Sequence, residues 1–389
     1  MLEEAKELLR WGLSILLTEV LIQMDDRIKI LELLSSKKNV LLMGAPGTGK
    51  SRVMNEVAET FINGGTRLAQ PSHVPGAGIP IPAVAAPTGL DLAMLKKANR
   101  KVFRTTLHQN SKYRDFLTGI VPELGAGGGY RINEGILYRA NEFAKQDNSA
   151  ALLIIDELNR GPAIEVFGGS IVAIESDKRL NDDNTATPAT QYFEISNPAD
   201  GQMVEYAFSS NLYILAAMNQ ADASVAPLDV AFMRRWQSYQ LKPNYDVLYE
   251  NFGVDRTQPI STVCSTASDV YSVAIHALEK INELICIGRG KEYQLGQGVF
   301  LSTKPKDNSM SSALQFASEA WSMIYAHIEE LFFGDSISIG YLVNANSPLS
   351  PYKLEELYFA GETKFVLTCS DIDTSNIFNL YQAIAGRDQ

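Results

Sequence analysis

At 389 residues, with 46% hydrophobic and 20% charged side chains, the chain has the composition of a folded soluble protein with room for two or three domains, which excludes a disordered polymer. Its formal net charge of −11 excludes the general basic face of a free-standing nucleic-acid binder, although a local basic patch stays compatible with it. Cys264, Cys286 and Cys369 are too few and too scattered for a disulfide framework or a metal site, and read as small buried hydrophobes in a reducing compartment.

Residues 3–35 place Leu, Ile and Val among charged residues at helical spacing and predict a helix. Its apolar run from Trp11 to Leu17 is bracketed by Lys6, Arg10 and Glu19 and is far shorter than the ~18 residues of a membrane span. A cytoplasmic protein with a partly buried first helix is expected. Asn39 to Met43 predicts a short buried parallel strand, followed by a glycine-rich turn and a helix from Lys50 to Asn63. Residues 71–87 hold five of the sixteen prolines and read as a loop. Lys101 to Thr106 predicts a strand, Gly125 to Gly129 a flexible loop, and Gly135 to Lys145 a helix. Ala151 to Ile155 is the strongest buried-strand signal. After it Ile164, Phe167, Ile171 and Ile174 fall on one face of an expected helix. Residues 180–210 read as a hairpin and Leu212 to Ala216 as a further buried strand, and from about residue 268 the pattern is mostly helical. Strands alternating with helices imply an α/β domain with a parallel sheet, here followed by a helical lid.

The turn after the first strand, Gly44-Ala45-Pro46-Gly47-Thr48-Gly49-Lys50-Ser51, satisfies the phosphate-loop pattern G-x-x-x-x-G-K-[ST]. Glycines let successive backbone N–H groups curl around phosphates, and the helix opening at Lys50 aims its positive dipole end at the same anion. In this reading Lys50 reaches the β and γ phosphates, and the Ser51 hydroxyl ligates Mg²⁺. The strand Leu152 to Ile155 ends in Asp156-Glu157. At the ligand edge of an α/β sheet, Asp156 would hold Mg²⁺ and Glu157 would polarise the water that attacks the γ phosphate.

Asp156-Glu157-Leu158-Asn159-Arg160-Gly161 resembles the D-E-I-N-R-G signature of the AAA+ module in McrB-type restriction motors. Further segments are similar to that family in the same order: Thr106 to Gln109 with Tyr113, Asp115, Phe116 and Gly119; Ala217 to Asp222; Leu228-Asp229 through Arg234-Arg235-Trp236; and Gln294 to Phe300. The resemblance covers roughly residues 38–335 and implies an AAA+ three-layer α/β/α domain with a helical lid, using ATP or GTP with Mg²⁺ and assembling into a ring, most simply a hexamer. It implies a sensor role for Asn219 toward the γ phosphate. It also implies an arginine finger at Arg234 or Arg235, reaching a neighbouring subunit's nucleotide, for which a planar guanidinium is suited. Arg160 and Asp222 are secondary interface or sensor candidates, and His108 reads as structural. The expected domains are an N-terminal helical segment at 1–37, the nucleotide-binding domain at 38–245, the lid at 246–335 and a C-terminal extension at 336–389.

Departures from the family pattern are informative. Only 43 residues precede Gly44, so target recognition is expected to come from another protein. Gln220 replaces the family's Thr and Gln297-Gly298-Val299 replaces H-S-Y, which bears on nucleotide preference and lid contacts. Lys96, Lys97, Arg100, Lys101 and Arg104 form a basic cluster, read as a solvated face flanking a strand, with a nucleic-acid-facing pore as the alternative. The expected function is an NTP-driven motor acting on a McrC-like or nuclease-type subunit in a restriction or anti-phage system, touching nucleic acid only through the assembly. The alternatives are a MoxR-like chaperone acting on a protein client and a nucleotide-gated structural switch.

Overall fold

The computed structural model describes residues 26–64, 90–123, 128–221, 228–302, 305 and 307–387. Residues 3–25 of the first expected helix, the proline-rich loop, most of the Gly125–Gly129 loop and Asp222 lie outside them. The described chain opens with helix α1 (Asp26–Lys37), strand β1 (Asn39–Gly44) and helix α2 (Lys50–Asn63). Strand β2 (Asn99–Thr106), the hairpin of β3 (Thr118–Glu123) and β4 (Gly129–Glu134), and helix α3 (Ile136–Ala144) follow. Next come β5 (Ser149–Asp156), the hairpin of β6 (Phe193–Ser196) and β7 (Met203–Tyr206), β8 (Leu212–Asn219), the short helix α4 (Val230–Met233) and β9 (Gln237–Leu241).

Five strands form one sheet in the order β2-β5-β8-β1-β9, and the β2–β5 and β5–β8 pairs are parallel. Residues Ala150 to Ile155 of β5 are at most 2% exposed, as a strand covered on both faces requires, and that is why their run is continuously apolar. By its contacts the chain divides into two compact units. The first takes in the described residues of 1–42, 51–218 and 224–239. The second takes in those of 43–50, 219–223 and 240–389.

In the first unit one expectation is corrected. Ile164, Phe167, Ile171 and Ile174 do not share a helical face, because the helix ends at Phe167 and gives way to a 3₁₀ turn, leaving Ile164 41% exposed. Gly168 takes φ +51°, and a Cβ there would stand 2.7 Å from the Tyr113 ring. The break turns Phe167 into an aromatic cluster, with ring centroids 4.8 Å from Phe116, 5.4 Å from Phe232 and 6.1 Å from Trp236. Beneath it the fully buried Arg179 donates to the carbonyls of Ile174, Ser209 and Leu212 and to Asn39 Oδ1.

The second unit is built on helix α5 (Ala267–Gly288), opened by a Thr266/Asp269 capping box, and helix α6 (Met310–Leu331). Helix α7 (Ser336–Leu342), the antiparallel hairpin of β10 (Tyr352–Phe359) and β11 (Glu362–Cys369), and helix α8 (Ile377–Ala385) complete it. Residues from Leu248 to Ile384 share a single core. Trp321 Nε1 donates to Tyr352 Oη at 3.1 Å, and Tyr381 Oη donates to the Ala317 carbonyl at 3.0 Å. The β10–β11 hairpin departs from the mostly helical pattern expected here. No helix among the described residues is long and apolar enough to cross a membrane.

Candidate active site

The loop Gly44–Lys50 sits between β1 and α2 and belongs to the second unit. Gly47 and Gly49 adopt φ +76° and +90°, left-handed conformations that keep a glycine at each of these bends. Thr48 turns its hydroxyl inward, Oγ1 donating to the Ala45 carbonyl at 2.9 Å. The Lys50 ammonium donates to the carbonyls of Gly44 (2.9 Å) and Ala45 (3.1 Å), which holds its charge over the loop. Such a cradle, with a helix N-terminus behind it, is suited to a phosphate chain.

Ser51, the second residue of α2, lines a cavity of about 310 Å³ together with Asp156 at the end of β5. Arg104, Thr105 and Thr106 of β2, with Met54, Asn55 and Ile154, complete its wall. A hydroxyl and a carboxylate facing one cavity are the donor set that a Mg²⁺ ion takes from protein, its remaining positions filled by water and phosphate. Glu157 follows with φ 52° and ψ 49°, so the chain leaves the strand through a left-handed residue. Its N–H donates to Asp156 Oδ1 at 3.0 Å, and its Oε2 lies 3.1 Å from Arg160 Nε. That ion pair is half in solvent on the arginine side and contributes no more than about 1 kcal/mol, so it does not lock the carboxylate. Gly161 closes the motif because the His108 backbone and the Leu107 Cβ pass there, leaving 2.8 Å between a hypothetical Cβ and the His108 carbonyl. His108 itself is exposed and its Nδ1 accepts the Asn110 N–H at 3.2 Å. Asn219 is the last residue of β8.

The two arginines after α4 differ in surroundings. Asp229 caps the helix by accepting the N–H groups of Ala231 (2.6 Å) and Phe232 (3.3 Å), which fixes how the segment leaves it. Arg235 turns back: Nε lies 3.1 Å from Glu175 Oε1, a charge contact without an aligned hydrogen bond, and its guanidinium also reaches the Ala231 carbonyl. Its own carbonyl accepts from Asn39 Nδ2 at 3.2 Å. Arg234 is exposed.

The basic cluster resolves into separate tasks. Arg100 caps carbonyls of Ile62, Leu95 and Lys97, Lys96 pairs with Asp91, and Lys101 stands over the rings of Phe103 and Phe143. Arg104 alone of the five lines the Ser51–Asp156 cavity, a placement its position in a charge run did not reveal. Gln297, whose departure from the family pattern was visible in sequence, is buried against the phosphate loop.

A parallel five-stranded sheet, a phosphate loop after β1 and an acidic pair ending β5 define an AAA+ nucleotide-binding module. The profile of the AAA domain of the dynein-related subfamily matches residues 90–236. The Type IV methyl-directed restriction enzyme EcoKMcrB subunit of Escherichia coli (strain K12) is 27% identical over 312 residues, 79% of this chain and 56% of that protein. The Type II restriction enzyme BsuMI component YdiS of Bacillus subtilis (strain 168) is 29% identical over 217 residues, 52% of this chain and 56% of that protein. Among solved structures, C. elegans PCH-2 superposes with a TM-score of 0.31 at 12% identity, over 76% of this chain and 67% of its own. The AAA-domain match and the two restriction-enzyme relatives together support a McrB-type AAA+ NTPase. It spans little more than half, 56%, of the length of each of the two curated relatives.

Proposed function

We propose that the chain hydrolyses ATP or GTP as a subunit of a ring, and that the ring drives a nuclease-type partner in a restriction or anti-phage system. The observation that carries the chemistry is the pairing of Ser51 and Asp156 on one cavity, with Ser51 directly following the phosphate-loop lysine in α2. The relatives, both components of restriction enzymes, support the biological setting.

Gly44–Lys50 holds the phosphates through backbone N–H groups and the Lys50 ammonium. Ser51 and Asp156 would hold Mg²⁺, which would supply charge neutralisation to the phosphate chain. Glu157 orients and deprotonates the attacking water, and Asn219 reads the γ phosphate. Arg234 serves as the arginine presented to a neighbouring subunit. Its exposure supports this choice, whereas Arg235 is committed to Glu175 within its own chain. Because a trans arginine raises turnover by roughly 10³–10⁵-fold in related chemistry, an isolated subunit is expected to be slow.

Nucleotide binding and turnover of two variants test this reading. Lys50→Ala is expected to lose binding of both nucleotides. Glu157→Gln is expected to bind and assemble normally while turnover falls by about 10²-fold or more. Normal turnover in Glu157→Gln would remove the acidic pair from the mechanism.

A further inference from the structure

The phosphate loop is held from behind by a segment nearly 250 residues away in sequence, Gln297 lying 249 positions beyond Thr48. Gly296 N–H donates to the Pro46 carbonyl at 2.9 Å, Gly298 N–H donates to the Gly47 carbonyl at 2.9 Å, and Gln297 Nε2 donates to the Thr48 carbonyl at 3.0 Å. Three consecutive loop carbonyls are thereby taken. The other end of the Gln297 amide is used as well, Oε1 accepting the Asn244 N–H at 3.1 Å just beyond β9. The approach is as close as backbones allow: a Cβ on Gly296 would stand 2.1 Å from the Gly47 carbonyl carbon.

This brace is itself anchored. Asn282, fully buried in the middle of α5, grips Leu295 through both of its amide atoms, Oδ1 accepting the Leu295 N–H at 2.7 Å and Nδ2 donating to the Leu295 carbonyl at 2.8 Å. The same Nδ2 lies 2.7 Å from Tyr245 Oη. The core helix is thus hydrogen-bonded to Leu295, and the three residues that follow it in the chain are hydrogen-bonded to the loop.

We propose that Gln297 is a positioning residue for nucleotide binding: with Gly296 and Gly298 it fixes the peptide planes of Pro46, Gly47 and Thr48, so that the loop's N–H groups stand ready for phosphate. Each peptide whose carbonyl is engaged has its orientation set and its N–H polarised, and a pre-ordered cradle binds an anion without an ordering cost. By reciprocity, phosphate seated on the loop tightens the brace and, through Asn282, α5. The inference rests on the proposed phosphate-binding role of Gly44–Lys50.

The experiment combines fluorescent ATP and GTP analogues with backbone hydrogen exchange, in the presence of Mg²⁺. In the wild type, nucleotide is expected to slow exchange over residues 294–300 as well as over the loop. Gln297→Met keeps the length of the side chain and removes its amide. It is expected to speed exchange of the nucleotide-free loop and to weaken nucleotide affinity by about tenfold, the worth of two lost hydrogen bonds, with the loss in Kd and KM rather than kcat. Wild-type binding without protection of 294–300 would overturn the proposal. So would wild-type affinity in Gln297→Met with an unchanged loop. Absence of nucleotide binding in the wild type would remove the phosphate-loop reading itself. If Gln297→Met does not fold, the wild-type exchange pattern decides.

Discussion

Glu157 combines a left-handed backbone with the chemical role proposed for it. A left-handed backbone costs a non-glycine residue about 1–2 kcal/mol, and Asn and Asp visit it more readily than Glu. Asn148, Asn184 and Asn344 occupy the same region elsewhere in this chain. The cost at Glu157 is expected to be tolerated for its carboxylate. Glu157→Asn should therefore raise stability in urea unfolding by about 0.5–1 kcal/mol while NTP turnover falls to background. Loss of stability in this variant would contradict the strain assignment. Lys38 presents a second residue-scale case. Burial, aided by the nearby Arg179 charge, lowers its pKa from 10.5 to about 8, while Asp182 pulls weakly the other way. Its ammonium lies 4.6 Å from the Tyr213 ring centroid and donates to Tyr213 Oη at 3.4 Å. Between pH 8 and 10.5 the unfolded chain keeps a proton that the folded chain has released, so this group makes stability rise with pH across that window, and its penalty is fully present below it. Comparing urea midpoints of the wild type and Lys38→Met at pH 7.5 and pH 9.5 isolates the effect. The wild type is expected to gain stability relative to the variant on going to the higher pH, and parallel profiles would contradict it.

At the scale of elements, the short helix α4 decides where Arg234 and Arg235 go. Phe232 on it and Trp236 just beyond it pack against Phe167, and Asp229 supplies a side-chain cap of its N-terminus. Asp229→Ala is expected to cost about 1 kcal/mol of stability and to lower assembled turnover further than that loss explains, with nucleotide affinity unchanged. Unaltered turnover per folded subunit would show that the cap is not needed to present the arginine. The same contrast between local and distant causes explains which elements were readable. Strand β5 and the phosphate loop declare themselves within a few residues, through an unbroken apolar run and a glycine pattern. The helix break at Gly168 depends on the Tyr113 ring, more than fifty positions away in sequence, and periodicity alone ran through it. The β10–β11 hairpin has almost every residue exposed and so lacks the alternation that marks a half-buried strand. Arg179 and Gln297 were invisible as buried residues because most of their partners are main-chain groups, which leave no trace in side-chain pattern.

At the scale of the molecule, the contacts place the phosphate loop in the same compact unit as α5, α6 and the C-terminal elements, whereas Ser51, Asp156, Glu157 and both arginines belong to the other. Residues beyond 335, which matched no motif, supply Ile339, Tyr352, Tyr381 and Ile384 to the second unit's core and complete it. The central claim is that a triphosphate gripped by one subunit is completed by Arg234 of the next, and mixing two inactive variants tests it most directly. Lys50→Ala is expected to lose nucleotide yet still offer its arginine, while Arg234→Ala is expected to hold nucleotide and offer none. Each alone should be nearly inactive. An equal mixture assembled together should recover about a quarter of wild-type turnover, because that share of sites in a head-to-tail ring pairs an intact loop with an intact arginine. A mixture no more active than its components, or full turnover in Arg234→Ala alone, would contradict the account.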